Sequence, residues 1–277
     1  MMSGLLSPVR EGSSFASGSQ AGQGANPLNI SAMAFGQSGS SGGASGDHGV
    51  GSTDIIFGSG SGQLVRTPLP YKDNNPGSAK VDAHYGLITS IEPHPSRSNK
   101  YKHLVLSSSL DWTVKLWDLK NFSQPLIEFF TPSYDYVCDV QWSPVHPAVF
   151  VTVTSGGRIS LWNLAKSSTE PVDAINVVND TEDTPNNTSA AAGTTSSAHA
   201  PHAALRALNK VVWARDGQSV LCGDSQGTLH LLKLHAPAVT PTPADEGRFE
   251  MAIVSHQVDS HHSVGESKVG HSSDVTP

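Results

Sequence analysis

Three residues of this chain have the types from which a hydrolase builds a catalytic triad: His84, Ser107 and Asp111. In a triad the histidine takes the proton of the serine hydroxyl while the carboxylate orients the imidazole ring. A nucleophilic serine must also stand exposed on a strained turn with oxyanion-stabilising donors nearby. The segment LSSSLD (106–111) offers no such turn. We therefore assign no catalytic residue, and these side chains need another explanation.

Other groups that could do chemistry do not form a site either. The glycine-rich turn GSGSG (58–62) lacks a following helix that could hold a phosphate, and no GxxxxGK[ST] loop is present. The histidines are scattered, and His256, His261 and His262 lie in a polar tail without fixed geometry. No pair of carboxylates suggests acid–base catalysis. The sequence predicts no metal site and no cofactor.

Composition limits the classes of partner. The formal net charge is −7, and no run of basic residues occurs, which argues against a nucleic-acid-binding face. No apolar stretch is long enough for a signal peptide or a membrane span. Cys138 and Cys222 lie in strand-like segments with apolar neighbours, which favours buried reduced thiols over a disulfide. These features predict a cytoplasmic protein.

Strand-like segments recur along the chain. Four segments align as third strands of a repeat: QLVRTPL (63–69), TVKLWDL (113–119), RISLWNL (158–164) and TLHLLKL (228–234). Each follows a turn rich in small or polar residues, as tight hairpins require. The spacing is about 45 to 50 residues once the Asn/Thr-rich tract 179–202 is set aside.

The other strands of each repeat align as well. Four first strands share apolar residues at positions one and four: ISAMAF (30–35), ITSIEP (88–93), VCDVQW (137–142) and LNKVVW (208–213). Second strands follow at 54–58, 103–107, 148–154 and 219–223, and outer fourth strands at 126–130 and 172–177. Four short strands per repeat, with a Trp117-Asp118 pair closing the second repeat, are typical of WD-repeat β-propellers. The predicted fold class is all-β, a partial WD-repeat ring with four recognisable blades.

Low-complexity tracts separate the predicted parts. Propeller blades are predicted within 27–235, and the four blades span 27–75, 76–131, 132–178 and 203–235. Disordered inserts are predicted at 36–53 and 179–202, where Gly, Ser, Asn and Thr dominate and too little apolar surface is present to offset the entropy of ordering. Residues 1–26 are predicted to be disordered or the end of a preceding blade, and 236–277 a disordered tail.

The triad-like residues find a role in the second blade. His84, Ser107, Asp111 and Trp117 occupy the positions at which WD-repeat blades place a structural hydrogen-bonded tetrad. Asp111 would orient the imidazole of His84, which would bond the hydroxyl of Ser107, and that hydroxyl would face the indole N–H of Trp117. The other three repeats lack this set, so their blades are predicted to depend on apolar packing.

The amino-acid sequences of the blades resemble those of a known family. The segments DWTVKLWDLKN (111–121), SYDYVCDVQWSPVHPAVFVTV (133–153), GRISLWNL (157–164) and ALNKVVWARDGQSVLCGDSQGTL (207–229) resemble the C-terminal WD-repeat domain of dynein intermediate chains, best of the cytoplasmic class. The resemblance runs from His84 to Leu234, with a weaker extension back to Ile30. It implies a non-catalytic subunit of a microtubule motor whose propeller binds the dynein heavy chain, with a cytoplasmic, microtubule-associated location.

The family pattern is not complete in this sequence. Family members bind light chains and dynactin through an N-terminal region with no counterpart here, so these partners are predicted only for a longer form. The family propeller has about seven blades, and four can be recognised in this sequence. Either the sequence is part of a longer protein or four blades close on themselves. Because a partial ring exposes an apolar edge, the first alternative predicts a chain that self-associates when expressed alone.

A candidate protein-binding face lies at the turns of one side of the ring. Trp112 is in the turn before the third strand of the second blade, and Tyr134, Asp135 and Tyr136 lead into the third blade. Exposed aromatic residues with polar neighbours are good interface anchors. The alternative is that Trp112 and Tyr136 only cover the neighbouring blade.

Other functions stay open at this point. The nearest is an axonemal or intraflagellar-transport dynein intermediate chain. A WD-repeat scaffold of a non-motor assembly is another class, and an enzyme a third.

Overall fold

The chain is described by a computed structural model covering residues 29–38, 53–69, 78–96, 98–177 and 206–263, with the side chains of the last helix described as far as residue 256. The first sheet contains β1 (Ile30–Gln37), β2 (Thr53–Ser59), β3 (Gln63–Leu69) and β4 (Ala79–Asp82). The second contains β5 (Ile88–Pro93), β6 (Leu104–Ser109), β7 (Thr113–Asp118) and β8 (Ile127–Phe130). The third contains β9 (Val137–Trp142), β10 (Val149–Thr154), β11 (Arg158–Asn163) and β12 (Asp173–Asn176), and the fourth β13 (Leu208–Trp213), β14 (Ser219–Asp224) and β15 (Leu229–Lys233).

Each sheet is an antiparallel meander in which strands consecutive in sequence are neighbours. The four sheets pack face to face as blades, so the mostly β partial propeller predicted from the repeats is confirmed. Antiparallel neighbours need only short connections, which is why the alternating segments and their turns were sufficient to recognise the strands.

Apolar clusters fill the spaces between adjacent sheets. Between the second and third sheets, the rings of Phe150 and Trp162 are stacked with centroids 5.7 Å apart, and Phe129 meets both edge-on. Ile56 and Leu64 of the first sheet are buried in the cluster shared with the second. All strand positions of β6, β7 and β10 are buried because their sheets are covered on both faces.

The two outermost sheets each leave one face uncovered, and we call these surfaces the end faces. On the first sheet Met33 is 70% exposed, and on the fourth Leu231 is 75% exposed. Their counterparts at the aligned strand positions of the other sheets are buried: Ile91, Val140 and Val211 for Met33, and Leu116 and Leu161 for Leu231. Within the described residues, the end faces are therefore blade–blade contact surfaces without a blade against them. The alternative in which four blades close on themselves is wrong for the described residues.

The first sheet is longer than predicted. β4 pairs with β3, with Val81 opposite Leu64, so the first blade extends to Asp82 and the predicted boundary at 75/76 is wrong. The sequence of β4, AKVD, is too short and too polar to give a clear strand pattern. β1 also extends to Gln37, into the predicted insert 36–53. Residues 39–52 of that insert, the insert 179–202 and residues 1–26 lie outside the described residues.

The predicted disordered tail is wrong over 236–263. The structure has two helices there, α1 (Ala236–Val239) and α2 (Pro243–Ser263), and residues 264–277 lie outside the described residues. The start of α2 is held by Asp245, whose carboxylate accepts hydrogen bonds from the backbone N–H and the hydroxyl of Thr242. Proline at the first helical position favours the same start. Neither described helix has the length and hydropathy needed to cross a lipid bilayer.

Helix α2 lies across the loops that connect the first and second strands of the second and third sheets. Phe249 is fully buried, with its ring 5.1 Å from that of Tyr101 and close to Trp142. His94 stacks in the same cluster, and burial lowers its pKa to about 4. Lys100 Nζ lies 2.8 Å from Glu250 Oε1 at the rim. The helix thus links two sheets that are distant from it in sequence.

Replacing Phe249 with alanine tests this link. We expect the free energy of unfolding to fall by about 3 kcal/mol, because a buried aromatic side chain is lost and a cavity remains. The measurement is urea unfolding followed by tryptophan fluorescence. The matched control is Met251→Ala on the exposed side of the same helix, which should change stability by about 0.5 kcal/mol or less. Equal effects of the two variants would contradict the packing of α2 described here.

Candidate protein-binding face

The turn of the second sheet is held by a buried hydrogen-bonded chain. His84 Nδ1 lies 3.0 Å from Asp111 Oδ2, and His84 Nε2 lies 2.7 Å from Ser107 Oγ. The Trp117 indole N–H donates to the same Ser107 oxygen over 2.9 Å. With a proton on Nδ1, the ring donates to the carboxylate, and Nε2 then accepts from the serine hydroxyl. The structure thus brings the four predicted tetrad residues together.

Further donors converge on Asp111. The Thr113 hydroxyl donates over 2.7 Å, and the backbone N–H of Tyr85 over 2.9 Å. Burial alone would raise the pKa of Asp111, but hydrogen bonds from His84 and Thr113 outweigh it and hold the pKa well below its ordinary value. The carboxylate is therefore ionised and fixes the loop before β5 to the turn before β7. Thr113 was missed from the sequence, although its place two residues after the aspartate is typical of an Asx-type contact.

Ser107 has no access to solvent, so its hydroxyl cannot reach a substrate.

The prediction that the other three blades depend on apolar packing alone needs a correction. In the third sheet the Trp162 indole N–H donates to Thr152 Oγ1 over 3.2 Å, which repeats the Trp117–Ser107 pair without the histidine. In the fourth sheet Asp224 accepts from His230 and Arg206. The hydroxyl of Thr152 and the carboxylate of Asp224 are the sequence signals that could have indicated these two sets of contacts.

The backbone at Trp112 has a left-handed conformation, with φ of 70°. In the turns that lead into the third strands of the other three sheets, Gly62, Gly157 and Gly227 have a positive φ, and these glycines align with Trp112. Only glycine adopts this conformation without a steric cost, which for other residues is roughly 1–2 kcal/mol. Trp112 therefore keeps a strained conformation at a position where its three counterparts are glycine.

Tyr134 shares this property. Its φ is 52°, and its ring meets that of Trp112 edge-on, with centroids 6.0 Å apart and an interplanar angle of 88°. The N–H of Thr131 donates to Trp112 O over 3.1 Å, which fixes the two loops against each other. Trp112 nevertheless stays 44% exposed, and Tyr136 is exposed as well. Contact with the neighbouring blade thus occupies only part of these side chains.

Asp135 and Tyr85 complete the surface. The Ser133 hydroxyl donates to the Asp135 carboxylate over 2.6 Å, and the carboxylate lies over Gly156. Tyr85 is 99% exposed beside Asp111. It was missed from the sequence, although it directly follows His84 in the loop that leads into β5. We define the aromatic face as Tyr85, Trp112, Tyr134, Asp135 and Tyr136.

Comparison with known proteins places these features in context. No protein-family model matches the chain. Over 169 residues, 61% of its length, the chain is 38% identical to the cytoplasmic dynein 1 intermediate chain of Drosophila melanogaster. This part of the chain is homologous to that dynein intermediate chain. The resemblance predicted from the blade sequences is confirmed. The matched part is 21% of the relative, so the chain spans about a fifth of the length of that protein.

In the described residues, no group of three or more His, Cys, Asp or Glu side chains is arranged to hold a metal ion. Cys138 is half-buried and Cys222 buried, and both are free thiols. Burial raises the pKa of Cys222 to about 12, so this thiol is not activated for nucleophilic attack. The features that stand out as functional candidates are therefore on the aromatic face.

Proposed function

We propose that this chain is a non-catalytic intermediate-chain subunit of a dynein microtubule motor, and that it acts in the cytoplasm on microtubules. The observation that carries the proposal is the 38% identity to a cytoplasmic dynein 1 intermediate chain over 169 residues. The engagement of His84, Ser107 and Asp111 in a structural network supports the absence of catalysis by these residues.

We further propose that the aromatic face binds the dynein heavy chain. Strained non-glycine conformations persist mainly where they serve binding or catalysis, and both Trp112 and Tyr134 have one. Tryptophan and tyrosine are also the residue types that most often carry binding energy at protein interfaces. Partners implied for a longer form, namely light chains and dynactin, depend on a region that this sequence does not match.

Substitution of Trp112 tests the binding role. We expect Trp112→Ala to reduce the heavy chain recovered with the tagged chain from dynein-containing cells by about tenfold or more, because a central aromatic anchor is removed. The measurement is co-purification with quantitative mass spectrometry. Phe130→Ala is the matched control, since Phe130 is an exposed aromatic residue on the outer strand β8, and it should leave recovery unchanged.

Two outcomes separate the parts of this proposal. If the unaltered chain recovers no heavy chain, the assignment as a dynein subunit fails. If the chain recovers heavy chain and Trp112→Ala recovers the same amount, only the role of the aromatic face fails.

A glycine variant distinguishes binding from blade covering. Trp112→Gly relieves the left-handed strain, whereas Trp112→Ala keeps it, so we expect the glycine variant to be more stable by about 1 kcal/mol. Both should lose heavy chain equally. The measurement is the free energy of urea unfolding for both variants beside heavy-chain recovery. If Trp112 mainly covered the next blade, the glycine variant would be strongly destabilised relative to the unaltered chain.

A further inference from the structure

The described residues contain two non-glycine positions with positive φ, and both carry an aromatic side chain of the aromatic face. The rings of Trp112 and Tyr134 stand at right angles and form a corner, and both side chains are partly exposed. A corner of this kind suits a flat or cationic group, because the face of an aromatic ring carries partial negative charge.

The loop that carries Tyr134 also carries the carboxylate of Asp135. Asp54, Asp111 and Asp224 each have a cationic or imidazole partner. Asp135 has a hydrogen bond from the Ser133 hydroxyl, but among the described residues it forms no ion pair. Asp135 directly follows Tyr134, so the same loop carries one ring of the corner and a carboxylate.

The absence of a side chain at Gly156 leaves room for this carboxylate. A Cβ atom built on Gly156 would lie 2.3 Å from Asp135 Oδ2, so any side chain there would displace the carboxylate. The φ of Gly156 is not in the left-handed region, in contrast to that of Gly157. The backbone conformation at position 156 would therefore accept other residues. The Asp135 carboxylate, however, occupies the space that a side chain at this position would need.

We propose that the aromatic face recognises an exposed arginine side chain in a basic segment of its protein partner. The guanidinium group would stack in the Trp112–Tyr134 corner and pair with Asp135. Arginine fits better than lysine because its planar group can stack on a ring and bind a carboxylate at the same time. An apolar segment would bury the Asp135 carboxylate without a partner, which is unfavourable. This inference rests on the proposed use of the aromatic face for binding and adds the chemistry of what it binds.

A pair of synthetic peptides tests the recognition without the heavy chain. The probes are an acetylated and amidated (Gly-Arg)₃ peptide and the same peptide with citrulline, which keeps the shape of arginine and removes its charge. The fluorescently labelled full chain is kept at nanomolar concentration to limit self-association, and each peptide is titrated at low salt. We expect the arginine peptide to bind about tenfold more tightly than the citrulline peptide.

Three variants assign the effect to residues. Asp135→Asn removes the charge and Gly156→Ala displaces the carboxylate, so both should reduce the preference for arginine to below about threefold. Asp173→Asn removes an exposed carboxylate on β12 and should preserve it. Equal binding of both peptides, no binding of either, or an unchanged preference in Asp135→Asn would overturn the inference.

The result is separable from that of the heavy-chain experiment. Arginine preference without heavy-chain recovery would support the recognition chemistry and contradict the proposed dynein role. Heavy-chain recovery that depends on Trp112, with no arginine preference, would support the proposed function and overturn this inference.

Discussion

Replacing Met33 and Leu231 together with lysine is expected to convert a self-associating chain into a monomer. Each residue lies exposed on an end face, at a position that is buried in the inner sheets. Apolar sheet faces and the open edge of β15 favour contact between copies, and a lysine opposes such contact through its charge. Sedimentation velocity over a range of protein concentrations should show a broad, concentration-dependent distribution for the unaltered chain and one slow species for the double variant.

The matched control places lysines elsewhere. Met251 and Val254 are exposed apolar residues of α2, so Met251→Lys with Val254→Lys adds the same charge away from the end faces. That variant should associate as the unaltered chain does. A monomeric unaltered chain that unfolds in one sharp reversible transition would contradict the prediction.

Asp111→Ala is expected to lower the free energy of unfolding by about 3 kcal/mol. The variant leaves the Nδ1–H of His84 and the hydroxyl of Thr113 buried without their acceptor, and a buried donor without an acceptor is costly. Urea unfolding at neutral pH in the monomeric double-lysine background gives the measurement. Asp173→Ala, which removes an exposed carboxylate, is the control and should have little effect.

The contribution of Asp111 should also depend on pH. Its pKa is lower in the folded than in the unfolded chain, so between these two values the unfolded chain binds more protons. The stabilisation is therefore complete above the ordinary value of about 3.8 and is lost as pH falls through the lowered pKa. The stability difference between the unaltered chain and Asp111→Ala should shrink below about pH 4. A difference that stays constant down to pH 2 would refute this assignment.

Strand positions could be predicted because their pattern is local. Successive side chains of HLVLS (103–107) and TVKLWDL (113–119) enter the apolar clusters on opposite faces of the sheet, and the same alternation recurs in the third sheet. The His84 network could be placed because its residues have fixed positions within a repeat. These features depend on residues that are near in sequence or aligned between repeats.

Features that depend on distant contacts could not be predicted. Helix α2 is largely polar, and its order comes from Phe249 and Ile253 packing on loops far away in sequence. The Thr242–Asp245 hydrogen bonds at its start join residues only three apart, which is too short a signal to predict a helix by itself. The left-handed backbone conformation of Trp112 could not be predicted either. Such positions favour glycine, so a tryptophan gives no indication of a positive φ.

The placement of α2 has a consequence for biosynthesis. The strands of each sheet are consecutive in sequence, so all strands of a sheet can pair once that repeat has left the ribosome. The aromatic cluster of Tyr101 and Trp142 is different, because Phe249 is translated long after both. Nascent chains that stall before α2 would present this cluster to chaperones although all fifteen described strands had been made. Loss of α2 would thus expose residues of the second and third sheets, which precede it by more than a hundred residues in sequence.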